Sequence, residues 1–99
     1  MKIDKTKEAD KMIISLEGRL DTTTAPVLEG ELGGQLSGIQ ELIFDLEKLD
    51  YISSAGLRVL LSAQKIMNKQ GNMLIRHVNE DVMEIFDVTG FVDILNIEE

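Results

Sequence analysis

Two neighbouring serines are the residues of this chain best placed to do chemistry. Ser53 and Ser54 stand in the run Asp50-Tyr51-Ile52-Ser53-Ser54-Ala55-Gly56-Leu57-Arg58, between an apolar strand-like segment over residues 41–49 and a long helical pattern opening at Leu57. A helix start built only for stability uses one Ser, Thr, Asp or Asn cap with Glu or Gln three residues on. Here the third residue after Ser53 is Gly56 and the third after Ser54 is Leu57, so neither serine begins a capping box. The first turn is nearly free of side-chain bulk, and its N–H groups are expected to be open to whatever approaches. That suits a contact surface or a phosphate better than it suits helix stability.

At 100° per residue, Val59, Leu60, Ala63, Ile66 and Met67 form the expected buried stripe of this helix, widened by Leu57 and Leu61. Arg58, Ser62, Lys65 and Lys69 fall opposite. Continued backwards, the wheel puts Ser54 on the Arg58 face and turns Ser53 toward the protein. Three cations without an anion reverse the local balance in a chain of 18 acidic and 10 basic side chains. Such a face is either plain solvated surface, where charges add little to stability, or a docking surface, where they set association rate and specificity. Asp21, with Thr22, Thr23 and Thr24 after it, is expected at the C-terminal edge of a sheet near Ser54, where α/β proteins place contacts. Capping of the following helix is an equally good reading of Asp21 and its threonines.

Other candidate groups read as structural. Glu80, Glu84 and Asp87 share the face opposite Val82, Ile85 and Phe86, which describes a solvated helix face rather than a metal site. His77 is the single histidine, expected at a strand end without a Ser or Cys partner, and so not a general base. Gly30, Gly33 and Gly34 lie within a helical pattern and form no nucleotide-binding loop. Neither a cofactor nor a metal is expected.

The net charge of −8 argues against nucleic acid and against anionic membrane surfaces as partners. Without cysteine there is no disulfide, thiolate zinc site or thiol nucleophile. The N-terminal residues lack a signal-peptide core and no apolar run approaches membrane-spanning length, so a cytoplasmic location is expected.

These side chains need a frame, and the 99 residues are expected to form a single domain over 1–99. Residues 3–7 and 12–16 read as a hairpin turning over residues 8–11, with Gly18 breaking the second strand. A helix follows Thr22 to Thr24, with Pro26 in its first turn, Val27, Leu28, Leu32 and Leu36 inward, and Gly33-Gly34 shortening it. Residues 42–46 are apolar on both faces apart from Asp45, as a central strand covered by helices should be. The serine-led helix should run from 54 to 70 and stop at Gly71, followed by a strand over 73–75 and a helix over 80–89 stopped by Gly90. Val92, Ile94, Leu95 and Ile97 supply a last short strand or helix. The expected fold class is α/β, a mixed sheet of about four to five strands with an N-terminal hairpin and about three to four helices.

The run Tyr51-Ile52-Ser53-Ser54-Ala55-Gly56-Leu57-Arg58 resembles the signature of bacterial anti-sigma factor antagonists, the small stand-alone STAS domains. Gly18-Arg19-Leu20-Asp21-Thr22-Thr23-Thr24-Ala25-Pro26 is similar to a second landmark of that family, and Val88-Thr89-Gly90-Phe91 to a third. The resemblance implies a STAS fold and a serine at this helix start that is phosphorylated by the anti-sigma factor, itself a serine kinase. Family members often carry Asp, Ser, then Ser or Thr before the glycine. Aligned on Gly56, Ser54 takes the phosphoacceptor position and Ser53 replaces the aspartate, with Ser53 as the alternative acceptor. The unphosphorylated protein is then expected to bind the anti-sigma factor and free a sigma factor. Phosphorylation would end binding and a PP2C-type phosphatase would restore it. Partner contacts are expected from Asp21, Thr22, Thr23, Ser53, Ala55, Gly56, Arg58, Ser62, Lys65 and Lys69, in a non-enzymatic monomer or weak dimer. The alternatives are a STAS scaffold subunit of a stressosome or lipid-transport complex and, last, a small metabolite-binding domain or enzyme in which Ser54, Arg58 and Asp21 hold an anion.

Overall fold

Alternation of apolar and polar residues makes the first two strands, and a tight turn sets their register. In the computed structural model, which describes residues 1–98, β1 (Lys2–Glu8) runs antiparallel to β2 (Lys11–Leu20) with Glu8 opposite Lys11. Ala9 and Asp10 form the turn, Ala9 taking φ +55 in the left-handed region that such turns require. β2 buries Met12, Ile14, Leu16 and Leu20. Gly18 does not end this strand, contrary to expectation. It adopts φ +102 within a stretch where register with the next strand shifts between Ser15 and Glu17 and again between Gly18 and Arg19. Glycine accommodates the irregularity without the Cβ penalty, and the strand carries on to deliver Asp21.

Pro26 sits in the opening turn of α1 (Ala25–Leu32), which stops at Gly33 as the glycine pair implies. Leu28 and Leu32 are buried, and so is Leu36 beyond the helix end. Val27, expected inward, is 56% exposed because the short helix turns only one narrow face to the core. The central strand β3 (Glu41–Ile52) runs parallel to β2 on one side and to β4 (Asn72–Arg76) on the other, giving the order β1-β2-β3-β4. Between them lies α2 (Ser54–Met67), shorter than expected: the N–H groups of Lys69 and Gln70 bond the carbonyls of Ile66 and Met67 in a tighter last turn. Gly71 then passes so close to β3 that a Cβ there would stand 2.0 Å from the Gln40 carbonyl oxygen.

The Asn79 side chain caps α3 (Glu80–Thr89) by accepting the Val82 N–H at 2.8 Å, and Gly90 closes it at φ +79. A 3-10 turn (Phe91–Asp93) follows, and Ile97 forms a parallel bridge to Ile75 along the outer edge of β4. Of the last apolar residues only Leu95 is buried; Val92 and Ile94 are exposed. No helix among the described residues is long and apolar enough to cross a membrane.

Alternate strand residues Met12, Ile14, Leu42, Phe44, Met73 and Ile75 join Leu28 of α1, Leu60 and Met67 of α2, and Val82 and Phe86 of α3 in one core. Ile43 is also buried but stands outside that core, in register with half-buried Ile13 and Leu74 on the other face of the sheet. The expectation of helices over both faces of β3 is therefore corrected. The three helices cover one face, and Ile43 is shielded from water without joining their core.

Candidate functional site

β2 and β3 end side by side, and this brings the two sequence landmarks together. Leu20 lies opposite Ile52, and the Ser53 N–H donates to the Leu20 carbonyl at 2.8 Å. Asp21 and the serines therefore leave the same edge of the sheet, at the C-terminal ends of parallel strands. The two hydroxyls have different surroundings. Ser53 is half-buried, has extended backbone (φ −96, ψ 174) and caps α2, its Oγ accepting the Gly56 N–H at 3.3 Å. Ser54 is exposed as the first helical residue, and no group among the described residues hydrogen-bonds its hydroxyl. The expectation of a wholly open first turn is narrowed, since Gly56 N–H goes to the Ser53 side chain and Leu57 N–H to the Ser53 carbonyl. The helix itself supplies no partner for the N–H groups of Ser54 and Ala55.

Gly56 has a packing role at this edge. It is buried, and a Cβ there would lie 2.7 Å from Leu20 Cγ and 2.8 Å from Ile52 Cγ1. The glycine lets α2 seat directly on the ends of β2 and β3, so its place in the motif has an internal reason. Ala55 is half-buried beside it.

Asp21 organises the turn into α1 as well as standing at the edge. Its Oδ1 accepts the Thr23 hydroxyl at 2.7 Å, the Thr23 N–H at 3.0 Å and the Thr24 N–H at 3.1 Å. The Thr24 hydroxyl donates to the Arg19 carbonyl at 2.8 Å and closes the turn. The Thr23 hydroxyl, helped by the two N–H groups, holds the Asp21 carboxyl below its ordinary range against the opposing effect of partial burial. Thr22 and Thr23 are exposed.

Arg19 and Tyr51 belong to the same edge and were not singled out by the sequence. They are opposite one another in the β2–β3 register, with the Arg19 guanidinium carbon 4.3 Å from the Tyr51 ring centre. Arg19 Nε also lies 3.9 Å from Asp21 Oδ2. Both residues lie within the recognised motifs, but their pairing follows from the register shifts in β2, which no periodicity announces.

Arg58, Ser62 and Lys65 are exposed along α2, and Lys69, also exposed, lies just past its end. The buried stripe is rotated from the expected one: Gln64 is buried and Ile66 is 45% exposed beside Lys65. Met67 and Gln64 face the core because the chain must turn at Asn68, where the Gln64 amide donates to Asn68 Oδ1 at 2.8 Å. Ile66 adds apolar surface to a basic helix face. The acids Glu80, Glu84 and Asp87 of α3 remain exposed. His77 follows β4 and meets the carboxylates of Asp45 and Glu47.

A mixed sheet carrying an exposed, unbonded hydroxyl at the first position of a helix, beside a basic helix face, defines a small domain suited to surface contact and modification. The STAS domain family model matches residues 2–99, and the chain belongs to that family. Its relatives include BtrV of Bordetella bronchiseptica, whose name gives it a provisional role as an anti-sigma factor antagonist. That protein is 37% identical over 99 residues, covering 98% of this chain and 85% of the relative. The anti-sigma-B factor antagonist of Bacillus subtilis is 29% identical over 96 residues, covering 96% and 88%. The fold is also that of the Bacillus anti-sigma factor antagonist SpoIIAA. In its unphosphorylated form the TM-score is 0.76 at 13% identity, over 99% of this chain and 88% of SpoIIAA. In its phosphorylated form the TM-score is 0.76 at 14% identity, over 99% and 92%.

Proposed function

We propose that this protein is an anti-sigma factor antagonist, a binding module and not an enzyme, switched by phosphorylation of Ser54. Unphosphorylated, it binds an anti-sigma factor with serine kinase activity and so frees a sigma factor. Phosphorylation ends the binding and a PP2C-type phosphatase restores it. The observation that carries this reading is the division of labour between the serines: Ser53 Oγ is engaged in the cap, whereas the Ser54 hydroxyl is exposed and unbonded. The contact surface is the edge formed by Asp21, Thr22, Thr23 and Ser54, continued along Arg58, Ser62, Lys65 and Lys69, with Ile66 among them.

Physical chemistry supports a switch of this kind. A phosphate adds a charge of about −1.5 to −2, and at a helix N-terminus it meets free N–H groups and the favourable end of the helix dipole. Arg58 lies four residues on, on the same exposed face, where it can partly neutralise that charge. The fold tolerates the modification while the surface offered to a partner changes. Phosphopeptide mapping after incubation with the cognate kinase and ATP tests the assignment. Labelling should persist in Ser53→Ala and vanish in Ser54→Ala; the opposite pattern would move the acceptor to Ser53.

A further inference from the structure

We propose that Asp45, Glu47 and His77 form a site for one divalent transition-metal ion of the zinc type, distinct from the serine-bearing edge. Asp45 and Glu47 come from β3, and His77 follows the last residue of β4, its parallel neighbour. His77 Nδ1 lies 3.0 Å from Asp45 Oδ1 and 3.9 Å from Glu47 Oε2, and one donor atom from each of the three lies within 4.8 Å of the others. Donors bonded at about 2.0–2.2 Å to one ion are separated by roughly 3–4 Å, so a small closing of the Glu47 side chain completes the set.

The surroundings fit ligands more than a chance ion pair. His77 is a non-glycine residue held at φ +58, a backbone state that costs energy, and its imidazole meets Asp45 of β3. Arg76 Nε holds Asp45 Oδ2 at 3.2 Å, fixing the carboxylate while Oδ1 faces the imidazole, as outer-shell partners do for ligating carboxylates. Asp45 and Glu47 also line a groove of about 250 Å³ on the sheet, together with Asp4, Ser15, Lys2 and Lys48. One imidazole and two carboxylates select a borderline metal such as zinc, cobalt or nickel over magnesium or calcium, which prefer all-oxygen shells. The ligating form is the neutral imidazole, its Nδ1 lone pair directed to the metal and its one proton carried on Nε2.

A chain with one histidine and no cysteine makes the test direct. Zinc chloride is titrated by calorimetry into metal-free protein, and the single imidazole Cε1–H resonance is followed in parallel by NMR. One ion should bind per chain with a shift of that resonance. Affinity should fall at least about tenfold in Glu47→Gln and further in His77→Asn. Asparagine is used because it tolerates the left-handed backbone at this position, and Glu47→Gln replaces an exposed side chain, so both variants should fold. Equal zinc affinity in all three proteins, or an unmoved imidazole resonance, overturns the site.

Discussion

Ser53 and Ser54 are chemically identical and adjacent, yet they should respond oppositely to mutation. Removing the Ser53 hydroxyl strips the cap from α2, which typically costs about 1 kcal/mol within a range of roughly 0.5–2. Removing the exposed, unbonded Ser54 hydroxyl should alter stability by no more than about 0.5 kcal/mol. Urea unfolding of the two alanine variants checks this, and equal destabilisation would show that both hydroxyls are structural. The inward and outward directions of the pair were legible from the helical wheel, because Leu57, Val59 and Leu60 fix the helix phase almost to its first residue. The cap itself was not legible, since Ser-x-x-Gly lacks the reciprocal Glu or Gln of a capping box. Nor was the reason for Gly56, which depends on Leu20 and Ile52 meeting beneath it. A contact between strand ends 32 residues apart leaves no local trace.

Elements with local start and stop signals were readable to the residue, and those shaped by tertiary contacts were not. α3 spans the expected 80–89 because Asn79 caps it and Gly90 ends it. α2 stops short of Gln70 because its exit is tied elsewhere: the Gln70 amide donates to the carbonyls of Leu36 and Ile39 at 2.5 and 2.7 Å. That anchoring and the turn at Asn68 bury Gln64 and expose Ile66, a substitution no hydrophobic pattern predicts. β2 outlasts Gly18 because irregular pairing with β3 absorbs the break. The basic face survives these corrections, since Arg58, Lys65 and Lys69 are all exposed. Reversing Lys65 and Lys69 to Glu should leave stability within about 0.5 kcal/mol and slow association with the anti-sigma factor, most at low salt. Association rates that match wild type across a salt series would show that this face is only solvated surface.

For the molecule as a whole, charge and layering set what phosphorylation does. The helices lie on one side of the sheet, and the serine edge is formed where two strands and the start of α2 converge on a packed base of Leu20, Ile52 and Gly56. A phosphate added on that rigid base has no core to disrupt, and the helix N-terminus favours it by roughly 0.3–1 kcal/mol. In a partner's interface the same group must be desolvated, which costs several kcal/mol when no cation meets it and lowers affinity by orders of magnitude. The most direct measurement pairs thermal melts with binding of the cognate anti-sigma factor, for unphosphorylated and Ser54-phosphorylated protein side by side. The predicted result is a melting temperature unchanged or slightly raised by phosphate, with affinity reduced at least a hundredfold, or about 2.7 kcal/mol. Equal affinity in the two forms would contradict the switch, and a large fall in melting temperature would contradict its rigid-surface mechanism.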